Sequence, residues 1–453
     1  MRFDFCLGVL ASVALSSAAF AQPIDIDCPQ LSDESAFPAD IKSLAPLSLD
    51  PTTGWVLRES DTLVDFGFSD EGVALMAELV RVLQDKTGTQ LVTVVPPPRG
   101  LFAPLAENKD LMRERYDNLQ AQLRSTGAIV PDILGEIEAT PDAFENYYFR
   151  TDAHWTPNGA FLSAQAVVKA LDAAGFILET PDQARYVLTG KTETMEHRGG
   201  IIRAIEQVCK VDLVSEFSEF PEIAPVQTND TETALFGDGE IEGARSIVLV
   251  GTSFSNYASS DRFRWGDSLR FGLQNDVINM SVAGGALTSA ITAYSLFDLE
   301  IDRPELLIWD FPPYYIKDFS GARFRDVIAS VLGSCPANSE TTSIPIRFAD
   351  EDWSDEVVVP TGHDILNLSL PGVDLGNVRF KLEITDADDV RGLATRRDRV
   401  AEDLRSDQWS FYAAQATDTG MVATGGMVSF LVEGKETPVD GTFTSCSSVA
   451  DLQ

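Results

Sequence analysis

The chain has 453 residues, 44% of them hydrophobic and 23% charged, with 70 acidic against 34 basic side chains and a formal net charge of −36. Ordinary apolar content with 26 Phe and 6 Trp excludes general disorder and supplies core for two or three domains of roughly 150 residues each. The acidic excess repels polyphosphate, so no nucleic-acid partner is expected unless a local basic groove overrides the global field.

Residues 1–21 read as a leader. Arg2 gives a short positive start, residues 6–20 are apolar or small, and Ala19, Phe20 and Ala21 form a small-x-small cleavage site before Gln22. The run is shorter than the ~20 residues that span a bilayer, so export with cleavage is expected, and no later segment reaches spanning length. Loss of Cys6 leaves Cys28, Cys209, Cys335 and Cys446. An even count after export suggests two disulfides, for which three pairings exist. The distribution favours Cys28 with Cys209 and Cys335 with Cys446, each pair bracketing one block of sequence. Four free buried thiols are the alternative, and no Cys-x-x-Cys or Cys/His cluster points to a metal.

Residues 71–83 carry helical periodicity. Residues 90–95 (QLVTVV) form a continuous apolar run closed by Pro96, Pro97 and Pro98, as in a strand buried on both faces. An amphipathic stretch follows at 105–123. Further strands are predicted at 246–250 (SIVLV), 276–280 (DVINM) and 305–309 (ELLIW), with a helix at 288–299 between the last two. This order predicts an α/β unit, a parallel sheet flanked by helices with ligands beyond the carboxyl ends of its strands. From about Ala337 short alternating runs at 356–359, 378–384 and 427–432 are broken by Gly, Pro and Asp, which predicts a C-terminal β-sandwich. The expected domains are 22–335 and 336–453.

Chemistry concentrates in two segments. In the first, Thr156 is a good N-cap and Pro157 a good first helical residue, so Asp152 and His154 fall on the turn before a helix. An Asp two residues before a His can accept its Nδ1 proton and leave Nε2 free as a base. The chain has only three His, at 154, 197 and 363; a decorated surface turn is the alternative reading. In the second, a buried strand runs into Gly251, Thr252 and Ser253, placing a serine at a strand end. It is not a Gly-x-Ser-x-Gly elbow, which disfavours an ordinary α/β-hydrolase, and a helix-capping serine is the alternative. A Gly-rich stretch after a third strand, with Gly284 and Gly285, completes the parts of acyl-transfer chemistry.

Together the segments TDAHWTPNGA (151–160), GTSFS (251–255) and WDFPPYY (309–315) resemble the SGNH-like hydrolase fold, in the branch formed by the alginate O-acetylation proteins AlgX and AlgJ. The Asp-x-His element precedes the serine, as in that branch, and the last segment is similar to its Trp-Glu-x-Pro-x-x-Tyr block. The resemblance covers roughly residues 30–335. The following β-module, with one disulfide in each domain, places the chain nearer the AlgX side.

The resemblance implies Ser253 as nucleophile, His154 as base and Asp152 as its orienter. It also implies Tyr315 lining the site and an oxyanion held by the Ser253 amide with Gly284 or Gly285. Two departures stand out: Asp310 replaces the usual Glu, and Tyr314 stands where an Arg is frequent. Arg99, at a strand end, is expected to face the same pocket and contact an anionic sugar or an acetyl donor, with a surface ion pair as the alternative. In the C-terminal module Arg391, Arg396, Arg397, Arg399 and Arg405 are candidates for pairing with uronate carboxylates, and Trp409 or Trp353 for stacking on a sugar face. Interleaved Asp398, Glu402 and Asp403 offer a salt-bridged, solvated alternative.

The expected activity is periplasmic O-acetylation of an exopolysaccharide such as alginate, without a cofactor or metal. A membrane-bound O-acyltransferase is expected to supply acetyl groups, and a polymer export complex is an implied partner. The alternatives are a secreted carbohydrate acetylesterase and a non-catalytic polysaccharide-binding scaffold.

Overall fold

A computed structural model describes residues 26–453 apart from 179–184, 227–246, 258–259, 284–286, 288–290, 292–303, 320, 333–334, 336–338, 349–353, 355, 372–376, 385–389, 397–407, 413, 418–419, 424, 434–438 and 448–453. Four parallel strands form the central sheet in the order Gln90–Val94, Leu306–Asp310, Ile247–Val250, Val277–Asn279. Every residue of the two middle strands is buried, which is why these segments read as unbroken apolar runs rather than alternating ones. All four predicted strands are present, and their carboxyl ends lead into Val95, Gly251, Met280 and Phe311 on one edge of the sheet.

Helices Asp70–Val82, Lys109–Ser125, Pro157–Ala173 and Gly321–Leu332 contribute to the same core. The Lys109 helix begins four residues later than its periodicity suggests, because Asn108 sits at φ 58°, a left-handed geometry that a right-handed helix cannot include. The Pro157 helix begins where the sequence places it: Thr156 Oγ1 accepts the Gly159 amide at 3.1 Å. The predicted helix at 288–299 lies outside the described residues except for Ile291.

Several elements were not predicted, helix Gly321–Leu332 and a hairpin beside the site among them. Tyr186–His197 and Glu216–Pro225 pair as a long antiparallel hairpin between the Pro157 helix and the Ile247 strand. Its second strand turns Glu216, Ser218 and Phe220 inward and leaves Phe217 52% exposed. Polarity therefore runs against the usual apolar-in rule, and the strand gives no hydrophobic signal. The connection between its strands carries helix Gly200–Cys209, which a disulfide ties to Cys28.

The C-terminal region consists mainly of two four-stranded antiparallel sheets, ordered Val357–Val359, Gly426–Glu433, Asn377–Ile384, Val390–Arg396 and Gln408–Tyr412, Ile365–Ser369, Val439–Cys446, Thr341–Phe348. Leu366, Leu368 and Phe443 from one sheet and Val357, Val428 and Phe430 from the other share an apolar cluster of their own, the packing of a β-sandwich. The second disulfide joins Cys335 to Cys446, so both bridges follow the favoured pairing. Among the described residues no helix is long and apolar enough to cross a membrane.

Candidate functional site

Two turns meet at the carboxyl edge of the sheet. The first is tight: Phe149 and Thr156 donate their amides to His154 O at 3.3 Å and Tyr147 O at 2.9 Å, folding residues 149–154 back on themselves ahead of the Pro157 helix. The second follows the Ile247 strand, where Ser255 and Asn256 donate amides to Thr252 O at 3.1 and 3.0 Å. Trp155, fully buried, joins them by donating its indole N–H to Phe254 O at 3.1 Å.

The side chains of 152, 154 and 253 converge. His154 Nε2 lies 2.7 Å from Ser253 Oγ, and its Nδ1 hydrogen-bonds Asp152 Oδ1, which also accepts the His154 amide at 3.0 Å. Phe263 stacks on the His154 ring at 5.1 Å, while the imidazole stays part-exposed. Burial pushes the Asp152 carboxyl up, but the His154 and His197 imidazoles overcome it and hold it well below the usual carboxylate range. This is the geometry of a charge-stabilised, tautomer-fixed imidazole poised over a hydroxyl.

Residues 52–313 match the family described as the SGNH hydrolase-like domain of acetyltransferase AlgX. The chain belongs to that family. It is 28% identical over 357 residues to the alginate biosynthesis protein AlgX of Pseudomonas aeruginosa, covering 76% of this chain and 72% of that one. Similarity to the probable alginate O-acetylase AlgJ of Pseudomonas syringae is 26% over 249 residues, 52% of this chain and 60% of that one. A solved structure of Pseudomonas aeruginosa AlgX superposes with a TM-score of 0.70 at 22% identity, covering 93% of this chain and 99% of that one. The match establishes a shared fold.

In this AlgX-family chain each turn rests on a buried carboxyl. Under the serine turn, Asp310 Oδ1 accepts the Thr252 amide and hydroxyl at 3.3 and 3.2 Å, and Oδ2 accepts the Ser255 hydroxyl. Asp310 is fully buried, and burial pushes its carboxyl up to about 7 against these hydrogen bonds. A Cβ on Gly251 would lie 1.4 Å from Asp310 Oδ2, so glycine is required for the carboxyl to reach the turn. Under the histidine turn, Glu216 accepts the Arg150 amide at 3.0 Å and the Thr151 amide at 2.6 Å, together with the Thr151 hydroxyl. Asp152 Oδ2 meanwhile accepts the Gly200 amide at 3.2 Å. Neither Glu216 nor the hairpin that carries it was singled out from the sequence.

Arg99 requires a correction. It borders a small pocket with Asp61, Tyr148, Ala153, Phe254 and Tyr314, but its guanidinium is buried and all its donors are spent within the protein. It bonds Phe149 O twice, at 3.3 and 3.0 Å, and also Arg150 O, Val56 O and Asp61 Oδ2. Five N–H groups meet five internal contacts, so no donor is left for a sugar or an acetyl donor. Arg99 fastens the backbone leading into the Asp152 turn. Asp61 also pairs with Arg58 at 2.6 Å, and Arg58 lies over the Tyr314 ring at 5.0 Å. Burial pushes the Asp61 carboxyl up, yet the two guanidiniums bring it below its ordinary value.

Tyr315 lies on the short helical turn Pro313–Asp318, edge-on to Tyr314 at 4.8 Å; the pocket beside Ala153 and Phe254 is bordered by Tyr314. Gly284, Gly285, Trp353, Arg397, Arg399 and Arg405 lie outside the described residues. Arg391 and Arg396 are on strand Val390–Arg396, and Trp409 pairs with Leu368 on strand Gln408–Tyr412. On the rim, Tyr257 meets the His154 ring edge-on at 5.2 Å and carries the exposed Arg262 over its own ring at 5.8 Å. Burial and Asp152 raise the Tyr257 hydroxyl, opposed by Arg203 and Arg262. Among the described residues no cluster of three or more His, Cys, Asp or Glu could hold a metal ion.

Proposed function

We propose that this AlgX-family protein transfers an acetyl group through an acetyl-Ser253 intermediate to a hydroxyl of an exopolysaccharide such as alginate. The observation that carries the reading is His154 Nε2 at 2.7 Å from Ser253 Oγ with Nδ1 held by Asp152. His154 takes the Ser253 proton as Oγ attacks the acetyl carbonyl, and the Ser253 amide stabilises the oxyanion. Collapse expels the donor's leaving group, which receives that proton, and leaves an ester on Ser253. A sugar hydroxyl then attacks the ester while His154 takes its proton; the proton returns to Ser253 as the acetylated sugar departs.

The relatives named for alginate biosynthesis support a polysaccharide acceptor, and Arg203 and Arg262 beside Tyr257 offer positive charge at the mouth of an otherwise strongly acidic protein. Two disulfides fit an oxidising compartment after leader cleavage, in keeping with a periplasmic site of action. The two-sheet module from residue 336 onward, with Arg396 and Trp409 on its strands, is the candidate polymer-gripping surface. A membrane-bound acyltransferase as acetyl source and an export complex as neighbour complete the proposal.

The test is incubation of the mature protein and Ser253→Ala, His154→Ala and Asp152→Ala with 4-nitrophenyl acetate and a panel of acidic and neutral oligosaccharides, read by mass spectrometry. Acetylated acidic oligosaccharide, together with a one-acetyl mass gain on wild type alone, is expected. Acetate release without any acetylated oligosaccharide would make the protein an esterase, and turnover by the serine variant would exclude Ser253.

A further inference from the structure

We propose that His197, on the hairpin, is a positioning residue that fixes the second oxygen of the Asp152 carboxylate and so completes a His–Asp–His array; this rests on the reading of Asp152 as orienter of His154. His197 is 0% exposed, and Phe149 stacks on its ring at 4.4 Å with Phe263 and Tyr257 at its edges. Its Nε2 lies 3.3 Å from Asp152 Oδ2, off the best hydrogen-bond line, and neither ring nitrogen has a hydrogen bond elsewhere among the described residues. An imidazole sealed among aromatic rings is costly where a phenylalanine or leucine packs as well. Asp152 is the polar partner within reach, which gives the imidazole its reason to be there.

The surrounding backbone is shaped for the same contact. A Cβ on Gly199 would lie 1.8 Å from Asp152 Oδ2, so only glycine lets the hairpin exit pass close enough for the Gly200 amide to bond that oxygen at 3.2 Å. Oδ1 is thereby assigned to His154 and Oδ2 to the hairpin. Rotation of the carboxylate would break both sets at once, and this couples the hairpin to the direction in which the His154 imidazole points.

The groups facing this array are Asp152 and His154 on the turn, Glu216 paired opposite His197, Tyr257 on the turn after Ser253, and Arg99, whose charge acts on Asp152 and Glu216. Removing the His197 N–H leaves the Asp152 carboxylate less compensated beside the His154 ring. The acidic limb of kcat/KM then moves to higher pH.

The experiment compares full-length mature wild type with His197→Phe and His197→Gln in 4-nitrophenyl acetate turnover from pH 5 to 9, with Ser253→Ala as control and thermal unfolding for each. His197→Phe is expected to lose at least tenfold in kcat with KM within twofold and to shift the acidic limb upward. His197→Gln keeps a donor and is expected to recover most of kcat with the limb near its wild-type place. If the Phe variant does not fold, His197→Met takes its role. Wild-type kcat and pH profile in the apolar variant, or equal losses in apolar and Gln variants without a shift, overturn the proposal. A dead Ser253→Ala beside an unaffected His197→Phe overturns this inference alone, whereas an active Ser253→Ala overturns the nucleophile reading beneath it.

Discussion

The serine turn and the histidine turn solve one mechanical problem with buried carboxyls shifted in opposite directions. Asp310 sits beneath Gly251–Ser255 among hydrogen-bond donors, and burial carries it up to about 7 against them. Asp152 is as deeply buried, yet two imidazoles and two amides hold it well below its ordinary value. Burial is common to both, so the neighbours decide the direction in which each carboxyl is shifted. A carboxyl can anchor a turn by accepting hydrogen bonds alone, whereas orienting and stabilising an imidazolium needs the anion.

The contrast can be broken most severely at Asp152. Asp152→Asn removes the charge but nearly preserves the shape, and kcat on the acetyl ester is expected to fall on the order of 10³–10⁴-fold; a steady-state assay with unfolding as control measures it. The mirror change, Asp310→Asn, is expected to be tolerated and to alter pH dependence instead. With the folded carboxyl near 7 and the unfolded one near 3.8, the native state binds the extra proton between those values. The Asp310 contribution to stability is therefore largest below about pH 4, falls as pH rises through 7 and is flat above, a span of about 4 kcal/mol. Urea unfolding at pH 5 and 8 should show a smaller loss for the Asn variant than for wild type. Asp152 has the opposite sign: its depressed carboxyl contributes above about pH 4 and that contribution is lost as pH falls further.

Two milder substitutions sharpen the comparison. Glu216→Ala strips the acceptor from two buried amides and a hydroxyl on the histidine side and is expected to cost about 2–3 kcal/mol of stability, read from the urea midpoint, with kcat falling as well. Arg203→Ala together with Arg262→Ala at the exposed rim is expected to raise KM for an acidic oligosaccharide by about fivefold, the scale of an exposed ionic contact. Initial rates at low and high salt check this, since the loss shrinks as screening grows.

The central sheet was legible because strands buried on both faces must be apolar throughout, as in SIVLV and ELLIW. Asp152, His154 and Ser253 stood at a capped helix start and a strand end, both of which present side chains at the edge of such a sheet, and the family resemblance singled them out. The hairpin was not legible. Its inward residues include Glu216, Ser218 and His197, and its outward Phe217 is half exposed, so hydrophobic alternation pointed to no strand there. Arg99 was found at its strand end, but whether a guanidinium faces solvent or makes five internal hydrogen bonds depends on carbonyls from residues 56, 149 and 150.

By itself, then, the sequence indicated the parallel sheet through its apolar runs, favoured the disulfide pairing that the structure shows, and offered Asp152, His154 and Ser253 as candidates through local signals joined to a family resemblance. Only the tertiary structure decided what surrounds those side chains: Asp310 under one turn, Glu216, His197 and the Gly200 amide under the other. Such partners lie 45 to 66 residues away along the chain, and polar atoms that satisfy one another in the interior leave no periodic trace. Their spacing is set by packing, and so is the direction in which each carboxyl is shifted.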